Sequence, residues 1–270
     1  GVDSIEGLKK LKGSKYVQSD TLNTYVEAQE ALERGVKVLY SGTPCQIDGL
    51  KRFLKKDYEK LVCLSVICHG VPSPLIWERY LKSLEGDFGE KIEDVHFREK
   101  PNGSWRENGV LYRFKEKEFF YAKDGEPYMK GFLQDIFLRP SCYECKAKRE
   151  GVQGDIVLGA FWGVENFHPD IDGYKGVSAV IINSEHGERL FEEIKECLFV
   201  KESSYDAVLA GNPMLEKSTP CPSSRERFWE EFNITGRILE SIQDNVRNIP
   251  MSKEERSAFL YPIMLKYVSN

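Results

Sequence analysis

The sequence has no run of 18 apolar residues, which excludes a membrane-spanning helix. It has no excess of positive charge. Its 38 basic and 43 acidic residues leave a net charge of −5, a poor basis for general nucleic-acid binding. It shows no internal repeat and no low-complexity tract, so repeat architectures and biased disordered segments drop out. No G-x-G-x-x-G and no P-loop occur, so the ordinary dinucleotide and ATP fingerprints are missing. No signal peptide is read, and a cytoplasmic setting is expected. The chain opens Gly1-Val2-Asp3 without methionine, which is expected of a piece of something longer or of a tag remnant.

What remains is ordinary globular material. The 270 residues are 41% apolar and 30% charged, enough for one large domain or two modest ones with a buried core. Residues 22–34 read as a helix stopped at Gly35, and Val36–Tyr40 as a strand that ends in the turn Ser41-Gly42-Thr43-Pro44-Cys45. Gln46–Leu54 resumes a helical pattern, with Ile47, Leu50, Phe53 and Leu54 on one face. Leu61–Ile67 is apolar enough for a central strand. It runs into Cys68-His69-Gly70-Val71-Pro72-Ser73-Pro74, where Ser73 and Pro74 suit the cap and first residue of a helix ending near Gly86.

Two β-loop-α units in succession favour parallel strands covered by helices. Lys91–Arg98 and Gly109–Lys115 alternate and read as a small antiparallel insertion. A helix is expected over Tyr128–Leu138, a loop over Arg139–Gly154, strands over Asp155–Trp162 and Val177–Ile182, and an amphipathic helix over Glu185–Leu198. The rest, broken by Pro213, Pro220, Pro222 and Pro250, reads as a peripheral helical cap. The fold class expected is α/β: a mixed sheet flanked by helices, a small antiparallel insertion and a helical C-terminal tail. Residues 1–200 are expected to form the α/β domain and 201–270 a helical extension.

Seven cysteines in such a chain do not make a small disulfide scaffold; clustered cysteines in a cytosolic protein point to metal or redox chemistry. Cys45 and Cys68 each follow the carboxyl end of an expected strand, the edge where ligands bind in open α/β sheets. If those strands are neighbours, the two thiols approach each other. Cys142-Tyr-Glu-Cys145 is a C-x2-C knuckle that points two sulfurs at one centre, and these four could complete a tetrahedral thiolate set. Spacing alone does not choose between zinc, an iron–sulfur cluster and a redox dithiol. Cys63 lies in the apolar strand, Cys197 on the apolar side of a helix, and Cys221 in a loop between two prolines; none has a spaced partner. Arg139, Lys146, Lys148 and Arg149 crowd the knuckle, and cations there would balance the negative charge of bound thiolates.

Two polar segments could meet a cofactor. In Gly13–Ser19, Ser14, Lys15 and Gln18 can hydrogen-bond a diphosphate or a ring edge and Tyr16 can stack. Ser41-Gly42-Thr43, at a strand-to-helix turn, can offer backbone N–H groups to an anion. His69 serves either as a proton donor beside a cofactor or as a turn histidine.

Taken in order, GSKYVQS (13–19), SGTPCQI (41–47), CHGVPSP (68–74), LRPSCYEC (138–145) and DIVLGAFWG (155–163) resemble the flavin-binding region of the coenzyme F420 hydrogenase/dehydrogenase beta-subunit family, over roughly residues 1–185. The resemblance implies an oxidoreductase with bound FAD and a [4Fe–4S] cluster close to the flavin, exchanging hydride with a deazaflavin or another organic acceptor. Carried over by motif, Cys45, Cys68, Cys142 and Cys145 are the implied cluster ligands. Ser14, Lys15, Tyr16, Gln18, Thr43 and Gln46 are the implied flavin-lining residues. Many relatives carry a ferredoxin-like C-x2-C-x2-C-x3-C run ahead of this region, and this sequence has none. A ferredoxin-like domain or protein is therefore the expected electron partner, and a homo-oligomer stays open. The alternatives are a non-catalytic electron-relay or docking module and a zinc-knuckle protein that binds a nucleotide.

Overall fold

A computed structural model of the chain describes residues 1–122, 125–149 and 153–246. In chain order the helices are α1 (Ile5–Leu11), α2 (Thr24–Glu33), α3 (Pro44–Leu54), α4 (Pro74–Phe88), α5 (Pro127–Leu133), α6 (Pro140–Tyr143), α7 (Lys146–Arg149), α8 (Glu185–Ile194), α9 (Tyr205–Gly211), α10 (Ser224–Thr235) and α11 (Ile238–Asn245). The strands are β1 (Val38–Gly42), β2 (Leu61–Val66), β3 (Ile92–Glu99), β4 (Gly109–Phe114), β5 (Glu118–Ala122), β6 (Ile156–Ala160) and β7 (Ser178–Ile182). The class is α/β with a four-stranded mixed sheet, a three-stranded antiparallel sheet and C-terminal helices, as the patterning implied. Two compact units share the chain. Among the described residues, one takes Gly1–Ser4, Ser19–Gly70 and Pro140–Thr219; the other takes Ile5–Gln18, Val71–Arg139 and residues 220–246.

In the first unit the sheet order is β1-β2-β6-β7. β1, β2 and β6 are parallel, with Val38 opposite Leu61 and Leu64 opposite Ile156, and β7 closes the edge antiparallel. The four strands expected to share a sheet do so. The two cysteine-bearing turns therefore leave neighbouring parallel strands at the same edge. α2 and α3 bury Ala28, Leu32, Ile47, Leu50 and Leu54 against Leu61 and Cys63. Fully burying a side chain such as Leu50 contributes about 1.5–3 kcal/mol. A second cluster, Val157, Phe161, Val164, Ala179, Ala207, Val208 and Leu215, packs β6 and β7 against α9.

Asp155 ties this unit together. Its carboxylate accepts from the Cys63 backbone N–H at 2.6 Å and from Ser184 Oγ at 2.6 Å, while Ser184 caps α8 through Gly187 N at 3.1 Å. The last residue of α9, Gly211, sits so close to Trp162 that a Cβ there would stand 1.9 Å from the Trp162 carbonyl oxygen. Cys197 departs from expectation. The helical pattern stops at Ile194, and Cys197 ends an exposed 3-10 turn rather than lying on an apolar helix face.

In the second unit β3, β4 and β5 form the antiparallel sheet. β5 was not anticipated, because the charged Lys115-Glu116-Lys117 turn hid the short apolar run that follows it. α4 runs through Gly86 to Phe88 and stops at Gly89, whose φ of +68° is the left-handed conformation that ends helices. α5 is shorter than the helix expected over Tyr128–Leu138. It ends at Leu133 with Gln134 as its cap, Asp135 turns the chain with φ 66°, and Ile136, Phe137 and Leu138 are fully buried beyond the helix. Gly131 permits this return, since a Cβ there would stand 2.3 Å from the Phe137 ring.

The helices α10 and α11 contribute to the core of the second unit. Phe228 and Ile242 are fully buried, and α11 packs on α4 and α5. The region expected as a loop from Arg139 carries the short helices α6 and α7. The remaining break expected at Pro250, the end of that loop at 150–152 and the Arg149 side chain lie outside the described residues.

Candidate functional site

Cys45 is the second residue of α3, directly past the end of β1, and its Sγ lies 3.3 Å from Thr43 Oγ1. Cys68 lies two residues past β2, after Ile67 N has donated to Leu158 O at 2.9 Å. Cys142 is carried by α6. Cys145 falls between α6 and α7, its backbone N–H donating to Ser218 Oγ at 2.9 Å. All four belong to the first unit, although they come from three separated stretches of chain.

Their mutual influence centres on Cys68. Burial above all, opposed by the Lys148 ammonium and aided by Cys45, Cys142 and Cys145, pushes its thiol up to about 12. The three other cysteines thus act electrostatically on the same half-buried residue. Lys148 is itself buried, and its Nζ donates to the His69 carbonyl at 3.4 Å. The Thr219 hydroxyl donates to the same carbonyl, so the turn after Cys68 is held from two sides. Pro44, Ile67, Cys68, Ala147, Lys148 and Met214 line a small cleft at this point. Among the described residues, no three His, Cys, Asp or Glu side chains converge closely enough to hold a single metal ion.

The remaining thiols have other settings. Cys63 is fully buried in β2, while Cys197 and Cys221 are exposed. Of the basic residues expected around the knuckle, Lys146 is exposed and Lys148 buried in the first unit, whereas Arg139 belongs to the second and donates to Gln18 Oε1.

The polar segment Gly13–Gln18 belongs to the second unit, and nearly every residue of it is held. Ser14 bridges to Phe97 of β3. Lys15 Nζ reaches back to carbonyls at the end of α1, 2.9 Å from Lys12 O and 3.4 Å from Leu11 O, where a cation suits the helix terminus. The Tyr16 ring packs on Phe132 at 5.0 Å and edge-on to Phe97 at 5.5 Å, and its carbonyl accepts from Tyr128 Oη at 2.8 Å.

Thr43 and Gln46 belong to the first unit. Gln46 Oε1 accepts from Thr43 N at 3.0 Å, and its Nε2 donates to Ser19 Oγ at 3.0 Å, so Gln46 fastens the start of α3. Sequence reasoning missed Asp155, Thr219, Glu126 and Tyr128. Glu126-Pro127 was the readable one, an acidic cap followed by proline at the first helical position.

The sequence over residues 35–207 matches the family described as the C terminus of the coenzyme F420 hydrogenase/dehydrogenase beta subunit. The chain belongs to this family. Membership places it among subunits of redox enzymes. No curated protein matches the sequence. Among solved structures the chain is similar to one from the F420-reducing [NiFe] hydrogenase complex of Methanosarcina barkeri. The two share 14% identity over 85% of this chain and 72% of that chain, with a TM-score of 0.47. The family match takes in β1 through β7 and Cys45, Cys68, Cys142 and Cys145, whereas Gly13–Gln18 lies ahead of it. No helix among the described residues of this family member is long and apolar enough to cross a membrane.

Proposed function

We propose that this F420 hydrogenase/dehydrogenase beta-subunit family member is an oxidoreductase in which Cys45, Cys68, Cys142 and Cys145 hold one [4Fe–4S] cluster and the segment carrying Ser14, Lys15, Tyr16 and Gln18 takes part in binding FAD. The observation that carries the reading is the parallel pairing of β1 with β2, which brings the turns of Cys45 and Cys68 to one edge of the unit that also contains the Cys142–Cys145 knuckle. Four cysteine sulfurs of one unit support the reading, since a four-iron cluster spreads its thiolates over a wider frame than one ion, whose sulfurs all sit about 2.3 Å from the metal. When bound, the cluster supplies single electrons and the flavin collects two for a hydride step to or from a deazaflavin or another organic acceptor.

The chain's own part is to hold and tune. Lys148 offsets thiolate charge beside Cys68. Thr219 and Lys148 fix the His69 carbonyl and with it the Cys68 turn. The Thr43 hydroxyl stands against the Cys45 sulfur. A ferredoxin-like domain or protein supplies or receives the electrons.

The test is reconstitution without oxygen, with iron and sulfide counted per chain. A full complement with a brown absorbance shoulder is expected in the wild type. Cys142→Ser and Cys145→Ser should lower it most, because each removes half of a local chelate. Tight zinc binding at these cysteines with no iron or sulfide uptake would replace this reading with the zinc-knuckle one.

A further inference from the structure

The Gly13–Gln18 segment has one anchor that comes from the core of its own unit. Tyr128 is fully buried, its ring 4.6 Å from Trp77 and stacked 5.3 Å from Phe137, and its hydroxyl leaves that aromatic cluster only to meet the Tyr16 carbonyl at 2.8 Å. A buried hydroxyl needs a partner, and here the partner is the backbone of the cofactor segment.

Behind Tyr128 stands Glu126. It is the N-cap of α5 and is itself fully buried. One carboxylate oxygen accepts from Met129 N at 2.5 Å. The other accepts from Tyr112 Oη at 2.9 Å and from Tyr80 Oη. The carboxylate thus fixes the first turn of α5, that turn carries Tyr128, and Tyr128 fixes Tyr16. Phe132, one turn further along α5, packs on the Tyr16 ring. The same helix therefore grips both the carbonyl and the ring of one residue of the segment.

We infer that Tyr128, on a helix set by Glu126, is a positioning residue that preorganises Gly13–Gln18 for the flavin. The inference rests on the proposed flavin reading. Preorganisation lowers the ordering cost of binding, so its loss weakens affinity without removing a ligand contact. Phenylalanine keeps the ring packing and deletes only the hydroxyl. Losing one such hydrogen bond, typically about 0.5–1.5 kcal/mol, corresponds to a roughly two- to tenfold rise in Kd.

The experiment uses the full chain with FAD as the probe. It pairs fluorescence titration with amide hydrogen exchange of peptides covering residues 13–18. Tyr112→Phe is the control, since Tyr112 bonds the same carboxylate from the core without touching the segment. Tyr128→Phe should weaken FAD binding and speed exchange over 13–18, while Tyr112→Phe should lose comparable stability and change neither. The inference is overturned if Tyr128→Phe matches wild type in both readouts. It is equally overturned if exchange quickens with FAD affinity unchanged, or if Tyr112→Phe loosens FAD as much. Failure of wild type to bind FAD sinks the flavin reading instead, and the exchange measurement then still decides whether Tyr128 holds the segment.

Discussion

Replacing Glu126 by alanine should unfold the second unit far more readily than any surface change. The side chain is fully buried, and its two oxygens take Tyr80 Oη, Tyr112 Oη and Met129 N. Truncation leaves two buried hydroxyls and one helix N–H without an acceptor. At about 1–3 kcal/mol for each orphaned buried donor, the loss should be roughly 3–9 kcal/mol. Glu126→Gln keeps an acceptor for the tyrosines but turns an N–H toward Met129 N, and should cost about 1–2 kcal/mol, the usual worth of a lost cap.

The pH dependence separates charge from shape. Burial raises the Glu126 carboxyl, against the lowering effect of the Tyr80, Met129, Tyr112 and Tyr128 donors, and the net direction is upward. An acid raised in the folded state contributes its full stability below its unfolded value and loses it as pH rises through the folded one. The wild type should therefore weaken across that window, and Glu126→Gln should flatten the slope. Urea unfolding followed by tryptophan fluorescence reports on the site, since Trp77 lies 6.1 Å from Tyr80. Glu126→Ala within about 1 kcal/mol of wild type would refute the reasoning, because three orphaned buried donors cannot cost so little.

Other outcomes follow from the same geometry. Burial, reinforced by Asp155 and opposed by Lys51, pushes the Cys63 thiol up to about 11. At about pH 8 its thiolate should be roughly a hundredfold scarcer than that of an ordinary cysteine, so iodoacetamide labelling followed by mass spectrometry should find Cys197 and Cys221 modified well before Cys63. Replacing Cys63, Cys197 and Cys221 together should leave iron uptake per chain unchanged after anaerobic reconstitution; loss of iron with the fold intact would make one of them a ligand. Gly211→Ala must move backbone, since the new Cβ would meet the Trp162 carbonyl at 1.9 Å. A cost of about 1–3 kcal/mol in thermal or urea unfolding is expected, and a neutral variant would mean the α9 contact is easily relaxed. Asp155→Ala should lose about 1.5–3 kcal/mol for each bond its carboxylate accepts, read as a lowered urea midpoint, because it removes the acceptor for both Cys63 N and Ser184 Oγ.

Local periodicity was enough for the α/β class and for the four strands of the mixed sheet, because each is a short apolar run closed by a turn, and such runs specify themselves. Cys45, Cys68, Cys142 and Cys145 could likewise be named as the proposed ligands from the sequence, since residue types and their spacing are written along the chain. Boundaries failed where burial overrode pattern. Residues 136–138 are apolar yet leave the helix, because the left-handed Asp135 and the close approach at Gly131 let the chain turn back and bury them. Phe228 and Ile242 sit in a charged tail whose composition hides the fact that they fill a core.

Only the tertiary structure set the register of β1 beside β2, which brings the turns of Cys45 and Cys68 to one edge. It also divided the chain into two units built from interleaved stretches, with Gly13–Gln18 in one and Thr43 and Gln46 in the other. Long-range pairing depends on which surfaces can be buried together, and no window of sequence carries that information. The same holds for Lys148, Thr219, Asp155 and Tyr128, whose partners lie 29 or more residues away.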